Sequence, residues 1–274
     1  MAVILKNVSK TFSADVHALH HVSVEIPDGK MVSVIGRSGA GKSTLLRSIQ
    51  GMQDVDEGEI WIDRENIASL KGKKKRLLQQ KIGMIFQDFC LVEESSVLQN
   101  VLNARLYEMP LWAVALGHFS KKQKEEAGEI LKKVGMFEKK DQLAAFLSGG
   151  EKQRVAIARA LMQRGKVLLA DEPVASLDPS NAKSVLKLLK QLQKEEGITI
   201  LMNSHNVEQA MEFSDWLIGL SKGEIVFAGT KEELTKEKLN EIYCEQTTDK
   251  EEYFRAAEET EYEDETRGEV RERI

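Results

Sequence analysis

Polar and apolar positions alternate at the start of the chain. Val3–Phe12 and His17–Ile26 are rich in β-formers and show partial alternation, as in "HVSVEI" at His21–Ile26. The pattern predicts two antiparallel strands with one face toward a core. "PDG" at Pro27–Gly29 predicts a turn, and at Met31–Gly36 the alternation gives way to a short, mainly apolar run, "MVSVIG". Such a run is the mark of a strand covered on both faces. Ser43–Gly51 reads as a helix, "EIWID" at Glu59–Asp63 as an alternating strand, and "KIGMIFQ" at Lys81–Gln87 as a further strand. From Ser96 to Arg164 strand signals nearly vanish and helical ones take over. "KVLLAD" at Lys166–Asp171 is again a buried strand. A helix is predicted from Pro179, where Val185, Leu188, Leu189 and Leu192 fall at i, i+3, i+4 and i+7, and Gly197 ends it. "ITILMNS" at Ile198–Ser204 is the next strand, and "WLIGL" with "EIVFAG" forms a final strand pair. Strands flank a single helical block. The expected fold is therefore α/β, with a helical subdomain at about residues 96–164 inserted into it.

Charge divides the chain where the pattern fades. Residues 245–274 hold 12 acidic and 5 basic side chains, a balance of −7 against −5 for the whole chain, so residues 1–244 stand at +2. The expected organisation is one domain over 1–244 and an acidic C-terminal tail over 245–274. The basic cluster "KGKKKR" at Lys71–Arg76 could meet nucleic acid or lipid headgroups, but a charge run by itself reads better as a solvated loop, and no nucleic-acid partner is expected. The longest apolar stretch, near Leu111–Gly117, is far shorter than the roughly 20 residues that cross a bilayer. "MAVILKNVSK" has none of the parts of a signal peptide. Cys90 and Cys244 form neither a metal spacing nor a disulfide framework, which fits a reducing compartment.

Three short segments carry chemistry. Gly36-Arg37-Ser38-Gly39-Ala40-Gly41-Lys42-Ser43, followed by Thr44, matches the phosphate-binding loop, and it sits where that loop must sit, between a buried strand and a helix. Its glycines let successive N–H groups point at phosphate oxygens; Lys42 would reach the β- and γ-phosphates, and the Ser43 hydroxyl would bind Mg²⁺. The apolar strand before Asp171 and Glu172 ends in these two adjacent carboxylates, whose side chains must point different ways. Asp171 suits the metal and Glu172 the general base. Finally, "LSGGEKQRVAIARAL" at Leu147–Leu161 places Ser148, Gly149 and Gly150 at a helix start, a second place for an anion more than a hundred residues from the first.

In this order and spacing, Gly36–Ser43, "LSGGE" at Leu147–Glu151 and "VLLADE" resemble the ATP-binding-cassette (ABC) ATPases over about residues 2–243. The resemblance implies a P-loop NTPase core, an antiparallel β subdomain and an inserted helical subdomain. It implies ATP and Mg²⁺ as ligands and a head-to-tail homodimer in which the Ser148–Glu151 signature of one chain closes on the γ-phosphate held by the other. It also implies that Gln87 contacts Mg²⁺ and the attacking water, that Asp178 in "ASLDP" reaches across the dimer, and that His205 in "NSHN" touches the γ-phosphate. Phe12, 24 residues before Gly36, would stack on adenine, although a strand Phe also fits a core. Glu151 stands where many relatives have Gln, and the tail has no counterpart in a minimal cassette.

Within that family, Asn100–Met136 and "ARALMQRGKVLLADEPVASLDPSNA" are similar to the phosphonate-import ATPases, notably in the Ala before "SLDP". This implies a bacterial importer for phosphonate or a related phosphorus oxyanion. Its partners would be integral membrane permease subunits and an extracytoplasmic substrate-binding protein, with the ATPase peripheral on the cytoplasmic face of the plasma membrane. Methionine or amino-acid import, lipoprotein release or export, and a non-transport ATPase remain the alternatives. The segment "PLWAVALGHF" at Pro110–Phe119 fits either the core of the helical block or a docking surface for the permease.

Overall fold

The computed structural model describes residues 3–13 and 16–243; the acidic segment 245–274 lies outside the described residues. The two alternating segments at the start form β1 (Val3–Ser13) and β2 (Val16–Ile26), paired antiparallel with Val3 opposite Ile26. The apolar run becomes β3 (Met31–Ile35), every residue of it buried, and α1 (Lys42–Ile49) follows directly from the phosphate-loop segment. β4 (Glu57–Ile62) pairs with the far edge of β1, and β5 (Glu65–Asn66) completes an antiparallel sheet of order β2-β1-β4-β5.

The basic cluster is a helix, α2 (Gly72–Gln79), not a loop. Leu78 is its one buried residue, and the Lys75 ammonium donates to Asp54 Oδ1 at 2.6 Å. With a single apolar anchor in eight residues no helical period can appear in the sequence, so packing against β6 (Ile82–Ile85) decides the matter instead. The helical block comprises α3 (Val97–Leu102), α4 (Leu111–Ala115), α5 (Lys121–Lys133) and α6 (Gly149–Met162). Inside it the Arg105 guanidinium, 2% exposed, bridges Glu108 at 2.6 Å and Glu126 at 2.9 Å.

β7 (Val167–Ala170), α7 (Pro179–Glu196) and β8 (Thr199–Ser204) then return to the core. Val185, Leu188, Leu189 and Leu192 are buried as their spacing predicts, and Gly197 closes α7 with a φ of 62°. α8 (Val207–Phe213) precedes the final antiparallel pair, β9 (Trp216–Ser221) and β10 (Glu224–Gly229), and α9 (Lys236–Tyr243) comes last. The second sheet has the order β10-β9-β3-β8-β7-β6, parallel except at β10. Two clusters of buried residues cover its faces: one includes Leu131, Val155, Leu168 and Leu189, the other Leu45, Ile49, Leu169 and Ile60. Among the described residues no helix is long and apolar enough to cross a membrane. The sheet order matters most for function. β8 lies between β3 and β7, so the carboxyl ends of the three strands open side by side onto one crevice, the usual ligand position in parallel α/β sheets.

Candidate nucleotide-binding site

The loop after β3 owes its path to two glycines. A Cβ on Gly36 (φ 151°) would lie 2.2 Å from the Leu220 carbonyl oxygen, and one on Gly41 (φ 103°) 2.1 Å from that of Ala18. No other residue fits either place. Gly41 also caps α1 without a side-chain acceptor, which leaves the first N–H groups of the helix to an outside partner. Lys42 is 5% exposed, and its ammonium donates to the carbonyl oxygens of Gly36 at 2.6 Å and Arg37 at 2.9 Å. Burial lowers its pKa, while the nearby carboxylates of Glu172 and Asp171 act the other way. Behind the loop, the Tyr243 hydroxyl accepts from the Gly36 N–H at 3.2 Å, and the Arg37 guanidinium donates to the Tyr243 carbonyl.

The two adjacent carboxylates part at the end of β7. Asp171 is 6% exposed, and its Oδ1 accepts from the Ser43 hydroxyl at 2.9 Å and the Asn203 amide at 2.7 Å. Glu172 turns away with a left-handed φ of 52°, a costly conformation for a non-glycine residue, and its carboxylate is hydrogen-bonded to His205 Nε2. The oxygens of Ser43 and Asp171 are hard donors, and the buried Asn203 Oδ1 beside them has no partner. Among the described residues no group of three His, Cys, Asp or Glu side chains could hold a metal alone. This donor set fits Mg²⁺, which binds through one or two protein oxygens and completes its shell with water and phosphate.

A cleft of about 300 Å³ runs along these groups, lined by Phe12, His17, Ser38, Lys42, Glu172 and His205. Gly39, Gly41, Ser43 and Thr44 also border it, whereas Gly36, Arg37 and Ala40 form the back of the loop. Phe12 is 57% exposed and so is not a core residue; its ring stands at the open side of the cleft, with the Lys10 ammonium 5.7 Å from its centroid.

The remaining sequence candidates lie outside this cleft. Gln87 is exposed two residues past β6, and the turn after it is held by the Arg159 guanidinium, which donates to the carbonyl oxygens of Phe89 and Cys90. Ser148 caps α6: its hydroxyl accepts from the Glu151 N–H, and the Glu151 carboxylate accepts from the Ser148 N–H at 3.0 Å and from Lys139. Glu151 is thus engaged in its own helix cap. Ser148 and Gly149 face solvent. Cβ atoms on Gly149 and Gly150 would meet Leu177 at 3.3 Å and Asn181 at 3.1 Å, so the signature segment packs against the start of α7, where Asp178 is the N-cap. Sequence reasoning did not single out Asn203, Arg159 or Tyr243 for these contacts. Asn203 had a signal, a polar residue within an apolar strand run; the other two had none.

The ABC transporter family matches residues 19–175. The phosphonates import ATP-binding protein PhnC of Lactobacillus johnsonii is 47% identical over 239 residues, covering 87% of this chain and 94% of that protein. The protein of the same name from Bacillus cereus is 48% identical, covering 87% and 93%. Among solved structures, the ATP-binding cassette MJ0796, dimeric in a post-hydrolysis state bound to ADP and Pi, superposes with a TM-score of 0.73 at 33% identity, covering 83% of this chain and 98% of that one. CbiO1 of Clostridium perfringens, part of the ABC transporter complex cbiONQ, gives a TM-score of 0.74 at 30% identity, covering 86% and 92%.

Proposed function

The chain belongs to the ABC transporter family as one of its ATP-hydrolysing subunits, and from that premise we propose that it powers a bacterial importer of phosphonates. One observation carries the catalytic reading: Lys42, Glu172 and His205, from three separate segments, line one cleft, with the Ser43–Asp171 pair at its edge. The loop from Gly36 to Thr44 cradles the phosphates of ATP, and Lys42 moves from its own carbonyls to phosphate oxygens. Phe12 offers adenine a flat apolar face. Ser43 and Asp171 would hold Mg²⁺, with Gln87 as a further contact, and the ion would supply positive charge to offset the negative charge of the phosphates. The Glu172 carboxylate takes a proton from the attacking water, and His205 keeps that carboxylate aimed at the γ-phosphate side of the cleft.

Two chains complete the machine. Ser148 and Gly149 are exposed and do not border the cleft of their own chain, and this supports a head-to-tail dimer in which each signature meets the γ-phosphate of its neighbour. Asp178 lies on the same surface, beside the signature. ATP bound between the chains holds them together, and hydrolysis loosens them; the permease feels that cycle as motion. The chain sits peripherally on the cytoplasmic face of the membrane, against permease subunits that receive cargo from an extracytoplasmic binding protein.

The helical block offers a contact to that permease. Trp112 in α4 is 63% exposed and Leu116 at its C-cap 75%, while Ala113 and Phe119 are buried. Trp112 therefore adds little to the core, and its exposure supports the docking reading. Trp112→Ala is expected to weaken assembly with the permease by about 2 kcal/mol or more. Transport should fall while ATP turnover and melting temperature of the isolated chain hold. A large drop in melting temperature would return Trp112 to the core. The cargo is tested by growth: a strain lacking this gene and any other phosphonate importer should fail with a phosphonate as sole phosphorus source and grow normally on phosphate. Normal growth on the phosphonate removes it as the cargo.

A further inference from the structure

A central strand of a covered sheet ordinarily carries apolar side chains, and β8 departs from that at Asn203, which is 1% exposed. The register explains where its amide goes. Val34 of β3 is paired with Asn203, and Ala170 of β7 with Met202. Asn203 therefore stands level with Asp171, and level residues on parallel strands send their side chains to the same face. Asn203 Nδ2 donates to Asp171 Oδ1 at 2.7 Å and comes within 3.5 Å of Ser43 Oγ. A flipped amide would set two acceptors against each other, so the chemistry fixes this orientation. Asp171 Oδ1 is thus engaged twice by the protein, by Asn203 and by Ser43, whereas among the described residues Oδ2 meets only the Arg47 guanidinium, at 3.7 Å. The other end of the Asn203 amide, Oδ1, is buried without a partner. An orphaned buried acceptor is costly, and it persists in native structures where something else completes it.

We infer that Asn203 is a positioning residue for magnesium: its amide pins Asp171 through Oδ1 and leaves Oδ2, which meets only the Arg47 guanidinium at 3.7 Å among the described residues, turned to the cation. This rests on the reading of Ser43 and Asp171 as the pair that holds the ion. An outer partner that orients a ligand typically changes metal affinity by 10–100-fold when removed. Asn203 touches Asp171 and Ser43 but does not line the cleft bordered by Phe12, Lys42 and Glu172, so its removal should bear on the metal rather than on the nucleotide.

The test separates metal from nucleotide. Asn203→Leu keeps the volume and removes both polar ends; Asn203→Ser is smaller and covers the case in which Leu does not fold. ATP binding is measured by nucleotide fluorescence in EDTA, and Mg²⁺ is then titrated into the ATP-loaded chain. Affinity in EDTA should stay within about twofold, while the Mg²⁺ concentration at half-saturation should rise about 10–100-fold. Asp171→Asn is the control and should raise the same Mg²⁺ constant. If it does and the Asn203 variants do not, the inference on Asn203 fails and the metal pair stands. If Asp171→Asn leaves the constant unmoved, the reading of the pair fails first. Equal losses with and without metal would assign Asn203 to the fold and overturn the inference. In the wild type, Mg²⁺ should shift the Asn203 side-chain amide resonances of the ATP-loaded chain; resonances that do not move overturn it whatever the variants do.

Discussion

Glu172→Gln is expected to lower ATP turnover by about 10²–10⁴-fold while ATP still binds. That range corresponds to about 3–5 kcal/mol in the barrier. The substitution keeps the shape of the side chain and an oxygen for His205 Nε2, the partner that the Glu172 carboxylate has in the structure. The left-handed φ of 52° at this position is a property of the turn after β7 and burdens Gln as it does Glu. What is lost is the proton acceptor, so the ground state with bound ATP survives and the step after it does not. Without hydrolysis to loosen it, the ATP-held dimer should accumulate. Phosphate release, equilibrium nucleotide binding and gel filtration with ATP read the three consequences. Turnover near the wild-type rate would remove Glu172 from the role of base.

Ser148→Arg is expected to abolish hydrolysis and spare nucleotide binding to the single chain. Ser148 is exposed and does not border the cleft that holds Lys42 and Glu172, so a bulky cation there leaves that cleft untouched. It would instead fill the place where the γ-phosphate of a neighbouring chain docks on the start of α6. The substitution also removes the cap that Ser148 gives to the Glu151 N–H, a loss of about 1 kcal/mol. Ser148→Ala loses the same cap without the bulk and separates the two effects. Lys42→Ala damages the opposite half of the composite site. Neither variant alone should turn over ATP, but mixed chains should regain activity, because in the mixed dimer one of the two sites carries an intact Lys42 and an intact Ser148. Nucleotide binding that disappears in Ser148→Arg alone would mean that the signature serves the nucleotide of its own chain.

Much of this was legible in the residues. Mainly apolar runs announced β3, β7 and β8, since a strand covered on both faces does not alternate; Ser33 and Asn203 are buried polar exceptions within them. Gly36 and Gly41 announced the tight loop between β3 and α1, where the structure leaves no room for a Cβ at either place. Spacing placed the apolar stripe of α7 and its end at Gly197. Less regular elements were not legible. α2 has one buried residue, and α8 and α9 are short, so their helical form comes from what they pack on rather than from a period.

The sequence by itself determined the local pieces, because backbone geometry and hydrophobic period act over a few residues. The loop, the paired carboxylates and the helix start at Ser148 are such pieces, whereas the Ser148–Glu151 cap appeared only in the structure. Tertiary structure alone decided which pieces meet. Only the insertion of β8 between β3 and β7 brings Ser43, Asp171 and Asn203 to one point and His205 to Glu172. It also decided that Phe12 lines an open cleft and that exposed Ser148 does not border it. Side chains far apart in the chain are brought together by strand order and register, and these are set by the burial of whole sheet faces rather than by any short stretch of residues.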